Sequence, residues 1–167
     1  GFGVGHTGQA AAAHPTVRRV EIVDPSREVL AQAGYFKDAN GSVLSDRRVG
    51  VYVNDGRQHL RMQPAASYDL IALEPPFLSL AGTGALYSRE FYALARTRLK
   101  PKGYLSQPLP IYQLSAGALL NMVRAFVDVF PQSVLLSGMQ TELLLVGTTA
   151  PRIEIEPDRL ARDLDGA

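Results

Sequence analysis

Four glycines open the chain, at Gly1, Gly3, Gly5 and Gly8, and three of them form a literal G-x-G-x-x-G at Gly3, Gly5 and Gly8. Such a run makes a tight turn with bare backbone against a ligand, and the helix that follows points its unpaired N–H groups at the same place. Asp24 lies 19 residues after Gly5, near the ~20-residue offset at which an acid accepts the two hydroxyls of an adenosine ribose. Glycines and acid together read as a nucleoside seat, against the plainer alternative of turn glycines beside a solvent-facing acid. Asp55 follows an apolar segment, where a carboxylate can accept an adenine amino group; as Asp-Gly it equally suits an ordinary turn. A dinucleotide and S-adenosylmethionine both present an adenosine here, and the residues alone leave both open.

These residues need strands to hold them. Apolar segments at 19–23, 49–53, 68–73 and 104–109 read as strands, and 134–136 and 141–146 as two last ones, antiparallel at one edge because few residues separate them. Helical patterns fall between them: an Ala-rich one over 8–13, one opened by Pro25 and Ser26, one over 57–62, one around 88–99 and one capped by Ser115. This alternation predicts an α/β fold with one doubly wound, mostly parallel sheet, in which ligands bind at the carboxyl ends of the strands. The polar residues at those ends are the glycine loop, Asp24, Asp55, Glu74 and Gln107. The glycine loop has no strand in front of it and the sequence has no initiator Met, so it reads as a piece of a longer polypeptide, its sheet lacking the first strand. An apolar slot should then lie open beside the next strand.

Composition narrows the function. A chain of 167 residues and 18.1 kDa suits one domain, taken as 1–150, with a tail at 151–167 that carries a short helix from Pro157 to Leu164. There is no Cys, and His6, His14 and His59 are not at metal-ligand spacing, so neither thiol chemistry nor a zinc centre is expected. A net charge of +1, with Arg18-Arg19, Arg47-Arg48 and Arg152 scattered, gives no nucleic-acid footprint. No apolar run approaches the ~18 residues of a membrane helix, and the expected setting is cytoplasmic. Ser115 has no G-x-S-x-G context.

Six blocks carry a resemblance to a known family: the Gly1 to Gly8 run; Val23-Asp24-Pro25; Asn54-Asp55-Gly56-Arg57; Tyr68-Asp69-Leu70-Ile71 with Glu74-Pro75; Leu86 to Tyr92; and Leu99 to Gly103. In order and spacing they resemble spermidine synthase and the other polyamine aminopropyltransferases, from residue 1 to about 147. Glu74-Pro75, Gly82 and the run Leu109 to Ser115 are most similar to the bacterial branch often fused to a multi-span membrane region. The resemblance implies a Rossmann-like, S-adenosylmethionine-dependent methyltransferase fold, no metal, and decarboxylated S-adenosylmethionine as co-substrate, its aminopropyl group passing to putrescine. Gly1, Gly3 and Gly5 would cradle the nucleoside, Asp24 the ribose hydroxyls and Asp55 the adenine amine. Glu74 falls at the first acid of the family's catalytic loop, which orients the attacking amine and takes up its proton.

Gln107 and Tyr112 read as hydrogen-bonding groups on the acceptor side. Two family acids are replaced: Phe77 stands at the second acid of the catalytic loop and Val4 within the glycine loop. Both changes weaken the case for a dicationic acceptor. They favour, as alternatives, an S-adenosylmethionine-dependent methyltransferase with a less charged acceptor, or a non-catalytic nucleoside-binding domain of a membrane protein. The expected partner is a small amine, with a homodimer and a covalent membrane fusion left open.

Overall fold

The computed structural model describes residues 1–138, 143–154, 156 and 157. Along the chain, α1 (His6–Ala13) leads to β1 (Val20–Asp24), α2 (Arg27–Ala31) and the short α3 (Lys37–Asn40). Then follow β2 (Val49–Val53), α4 (Gly56–Met62), β3 (Tyr68–Ala72), α5 (Arg89–Arg98), β4 (Leu99–Leu109), α6 (Ala116–Val129), β5 (Ser133–Ser137) and β6 (Leu143–Thr148). Helix starts are set by side-chain caps: Ser26, Asp55, Ser88 and Ser115 each accept a backbone N–H three residues on. The expected C-terminal helix from Pro157 lies almost wholly outside the described residues.

The single doubly wound, mostly parallel, Rossmann-like sheet is not what forms. There are two sheets: β1 and β2 make a parallel pair, and the other four strands run in the order β3-β4-β6-β5. Within the four-stranded sheet, β3 and β4 are parallel, but β6 runs against both β4 and β5, so two of its three pairings are antiparallel. The expected reversal at the edge is therefore more than an edge effect: β6 sits inside the sheet and β5 at its edge. A strand returning directly from its predecessor must run antiparallel to it, and by wedging next to β4 it spends a second ladder on reversed pairing. β4 starts earlier than the apolar segment at 104–109 and carries a bulge at Lys102-Gly103, with Tyr68 opposite Leu99 but Leu70 opposite Tyr104 and Lys102 at φ 65°.

Two cores correspond to the two sheets. The larger lies between the four-stranded sheet and α5 with α6, where Phe91, Tyr92, Leu105, Phe126 and Phe130 have no exposed surface. Gly147 makes this packing possible, since a Cβ there would stand 2.6 Å from Cβ of Phe130. The smaller core joins Phe2, Ala12, Ile22 and Val43 over the parallel pair.

No backbone ladder joins β1 to β3, and polar side chains bridge this seam at its amino end. Glu21 of β1 accepts from the Tyr68 hydroxyl of β3 at 2.6 Å, pairs with Arg19 at 2.7 Å and meets His59 Nε2 of α4 at 3.2 Å. The His59 ring packs on Tyr52 of β2 with centroids 4.8 Å apart. Burial pushes the Glu21 carboxyl up, but its bonds to Tyr68 and His59 and the Arg19 charge outweigh this and hold it below the ordinary value. Burial and the same carboxylate push the Tyr68 hydroxyl well above its ordinary range.

Candidate functional site

At the carboxyl end of the seam the partners change from side chains to backbone. Asp24, the last residue of β1, is buried; its Oδ2 accepts the Phe2 N–H at 2.7 Å and its Oδ1 the Ser26 N–H at 2.8 Å. The Gly5 N–H closes the glycine turn on the Phe2 carbonyl at 2.9 Å. Gly5 has φ 97°, and a Cβ on it would stand 2.7 Å from the Phe2 ring and 2.8 Å from Cβ of Asn40. Any side chain is therefore excluded on both conformational and steric grounds. Asn40 is 1% exposed and locks the turn: its amide donates to the Val4 and Ala33 carbonyls at 3.1 and 3.0 Å and its oxygen accepts the Ser42 N–H at 2.9 Å. Gly5 also caps α1 without any side-chain hydrogen bond, which leaves the opening turn of that helix to offer its N–H groups elsewhere.

Gly1 spans the seam. A Cβ on it would come within 2.7 Å of the Glu74 carbonyl oxygen and 3.4 Å of Asp24 Oδ2, so the end of β1 and the loop after β3 meet across its bare backbone. The Glu74 side chain is exposed, and its Oε1 accepts the Thr7 hydroxyl of α1 at 2.5 Å. Asp55 stands two residues beyond β2; the neighbouring Asn54 N–H donates to the Asp24 carbonyl at 3.1 Å, and Asp55 itself caps α4 through Gln58 N–H at 2.8 Å. Gly1, Asp24 and Glu74 are thus brought together, and Asp55 lies on the adjoining strand end.

The remaining candidates sit apart. Gln107 has no exposed surface and shares the helix-covered face of β4 with Leu105 and Leu109; neither end of its amide has a hydrogen-bond partner among the described residues. Tyr112 and Phe77 are 75% and 71% exposed. The loops that carry them are tied together, the Leu78 N–H donating to Gln113 Oε1 at 2.9 Å. Residues that sequence reasoning missed are Phe2, Thr7 and Asn40, each of which acts through a contact to a distant segment. Asn40 carried a faint signal, since Asn before Gly is a turn pair; Thr7 carried none. Among the described residues no cluster of His, Asp or Glu is arranged to hold a metal ion, and no helix is long and apolar enough to cross a membrane.

A glycine turn feeding a helix, with acids at the carboxyl ends of parallel strands, is the arrangement by which α/β proteins seat nucleotides. Within that class the chain belongs to the spermine/spermidine synthase domain family, whose model matches residues 3–138. It is 35% identical over 109 residues to polyamine aminopropyltransferase 2 of Streptomyces coelicolor, covering 64% of this chain and 20% of that protein. It is 28% identical over 137 residues to polyamine aminopropyltransferase of Streptococcus uberis, covering 80% of this chain and 47% of that protein. The chain thus spans less than half the length of these relatives. In fold it is similar to spermidine synthase from Thermotoga maritima, with a TM-score of 0.72 at 21% identity over 95% of this chain and 54% of that one. It is also similar to human methyltransferase-like protein 13 bound to SAH, with a TM-score of 0.78 at 16% identity over 99% of this chain and 76% of that one.

Proposed function

We propose that this chain carries the nucleoside-binding and amine-activating part of an aminopropyltransferase that uses decarboxylated S-adenosylmethionine, with putrescine as the acceptor. The observation that carries the reading is that the Asp24 carboxylate and the Glu74 backbone lie on either side of Gly1, which brings the loop that carries the Glu74 acid next to Asp24. An acid for the nucleoside and an acid for the attacking amine need to be neighbours, because the reacting carbon lies one sulfur away from the ribose. A carboxylate has about four acceptor sites; backbone N–H groups take two at Asp24, which leaves capacity for the two hydroxyls of a ribose. Asp55 would take the adenine amine, while Gly1, Gly3 and Gly5 would let the backbone approach the donor.

In the reaction the amine nitrogen forms a bond to the carbon next to the sulfonium. The carbon–sulfur bond breaks with its electron pair going to sulfur, methylthioadenosine leaves, and the ammonium proton passes to Glu74. The protein's share is alignment of the two reactants and a base near the amine. Gln107 and Tyr112 would serve the acceptor side. The exposed Phe77 and the apolar Val4 favour a second reading, methyl transfer from S-adenosylmethionine to a less charged acceptor.

The test is product formation by the full-length protein with each donor and putrescine. Glu74→Gln keeps the shape and removes the base, so turnover should fall ~100-fold or more while methylthioadenosine affinity changes little. Phe77→Asp should tighten putrescine binding. Equal turnover by wild type and Glu74→Gln removes Glu74 from the mechanism; methylated product from S-adenosylmethionine, with none from the decarboxylated donor, selects the second reading.

A further inference from the structure

The glycine turn and Glu74 are joined by one side-chain contact, and it runs between segments 67 residues apart in sequence. Thr7 stands in the first turn of α1, where a threonine hydroxyl ordinarily bonds back to a carbonyl of its own chain segment. Here it donates to Oε1 of Glu74 at 2.5 Å. Oε2 accepts no hydrogen bond from the described residues, so one oxygen is held and the other is left for a substrate. A glutamate side chain at the start of a loop has three torsions to fix, and Glu74 is exposed; without a tether its carboxylate would sample many directions. Thr7, with a β-branched side chain on a helix, is stiff.

Thr7 is held in turn by the machinery of the glycine turn. Asn40 grips the Val4 carbonyl, Phe2 fills the space under Gly5, and Gly5 begins α1. The groups that would touch the nucleoside and the hydroxyl that holds Glu74 therefore share one piece of backbone.

We propose that Thr7 is the positioning residue for Glu74, its hydroxyl holding the carboxylate pointed at the amine. The proposal rests on the transferase reading for its purpose, but the coupling itself can be measured without turnover. Asp24 lies across Gly1 from Glu74, and His6, next to Thr7, is exposed. Neither is altered by a change at Thr7.

The experiment follows the Glu74 carboxyl carbon by NMR in the full-length protein at one fixed pH, its signal assigned with Glu74→Gln. Thr7→Val keeps the branched shape and removes the hydroxyl, so the signal should move and turnover should fall about tenfold at unchanged methylthioadenosine affinity, and Thr7→Ser should restore both. An unmoved carboxyl signal in Thr7→Val overturns the proposal. So does a Thr7→Ser protein that behaves like Thr7→Val, because the methyl rather than the hydroxyl would then matter, and so does failure of both Thr7→Val and Thr7→Ala to fold, which would make the residue purely structural. A wild type that transfers from neither donor, with the signal still moved in Thr7→Val, removes the transferase reading and upholds the coupling.

Discussion

The seam between the two sheets has a carboxylate of β1 near each end, and the two are used differently. Glu21, at the amino end, receives Arg19, His59 and Tyr68, side chains from three segments of the chain. Asp24, at the carboxyl end, receives two backbone N–H groups and no side chain among the described residues. Side chains that converge from several elements leave an acid little further capacity and fix those elements relative to one another. Backbone donors on one side leave the acid's other acceptor sites for a ligand and build the surrounding turn to a single shape. In the proposed reading the difference separates a bolt from a seat, although both are carboxylates of one strand.

The largest expected effect tests the seat. Asp24→Asn keeps the volume but turns an all-acceptor group into one that must present an amide to the Phe2 or Ser26 N–H. Two charge-assisted bonds to a ribose are worth ~1.5–3 kcal/mol each, so methylthioadenosine affinity should fall by roughly 100-fold or more in calorimetric titration. Glu21→Gln should leave the same affinity within about threefold. Matching losses from both variants would abolish the distinction between the two ends.

Next in size is the turn itself. Gly5→Ala combines a left-handed φ with contacts under 3 Å to Phe2 and Asn40, and strain with overpacking at one position should cost about 3 kcal/mol in urea unfolding. Gly3, with φ 57° but no atom within 4 Å of a Cβ, bears only the conformational part, so Gly3→Ala should cost about 1 kcal/mol. Equal costs would mean that Phe2 and Asn40 give way easily and do not lock the turn.

How much of this was legible in the sequence depended on the range of the interaction. Apolar runs of five or six residues located β1, β2 and β3 to within a residue or two, and with them the positions of Asp24, Asp55 and Glu74, because a strand's end is a local property. Ser115 was legible as a cap for the same reason. Strand order was not: nothing in residues 133–148 says that β6 will pass between β4 and β5, since both placements bury the same apolar faces. Gln107 was read as a polar residue at a strand's carboxyl end, but it lies within β4 on the helix-covered face, because alternation alone does not say which face the helices cover. Thr7, Asn40 and the Glu21–His59 pair depend on contacts 67, 36 and 38 residues apart, and His59 appeared partnerless because spacing along the chain was the only guide.

At the bolt, Tyr68→Phe removes one hydroxyl and leaves the ring in place. A hydrogen bond to a charged acceptor contributes about 1.5–3 kcal/mol; partial exposure of the site places the expected loss near the lower figure, read as a lower urea midpoint with an unchanged slope. Nucleoside affinity should not move. A fall in nucleoside affinity of more than about threefold would show that the two ends of the seam communicate, which the separate hydrogen-bond sets give no reason to expect.

The smallest effect is the pH dependence that Glu21 contributes, because burial opposes the partners that lower it and only the remainder survives. Its carboxyl group is held below the ordinary value of 4.5, so the unfolded chain binds the proton more readily than the folded one. The stabilisation is therefore fully present above that value and is lost as pH falls through the folded one. Tyr68 acts at the other extreme: its hydroxyl is raised above the ordinary 10.0, so its contribution holds below that value and disappears as the solution becomes more alkaline. Asp46, bonded to Arg48, and Glu28, bonded within its own turn, are also held low and add to the acid limb. Glu21→Gln should consequently flatten, without erasing, the fall in urea stability between about pH 5 and pH 3. Because His59 loses its charged partner in that variant, Glu21→Gln with His59→Gln should be no worse than Glu21→Gln alone. An acid limb identical to wild type in Glu21→Gln would mean that the three partners compensate burial and nothing more, leaving Glu21 as a geometric fixture of the seam without an electrostatic share in its stability.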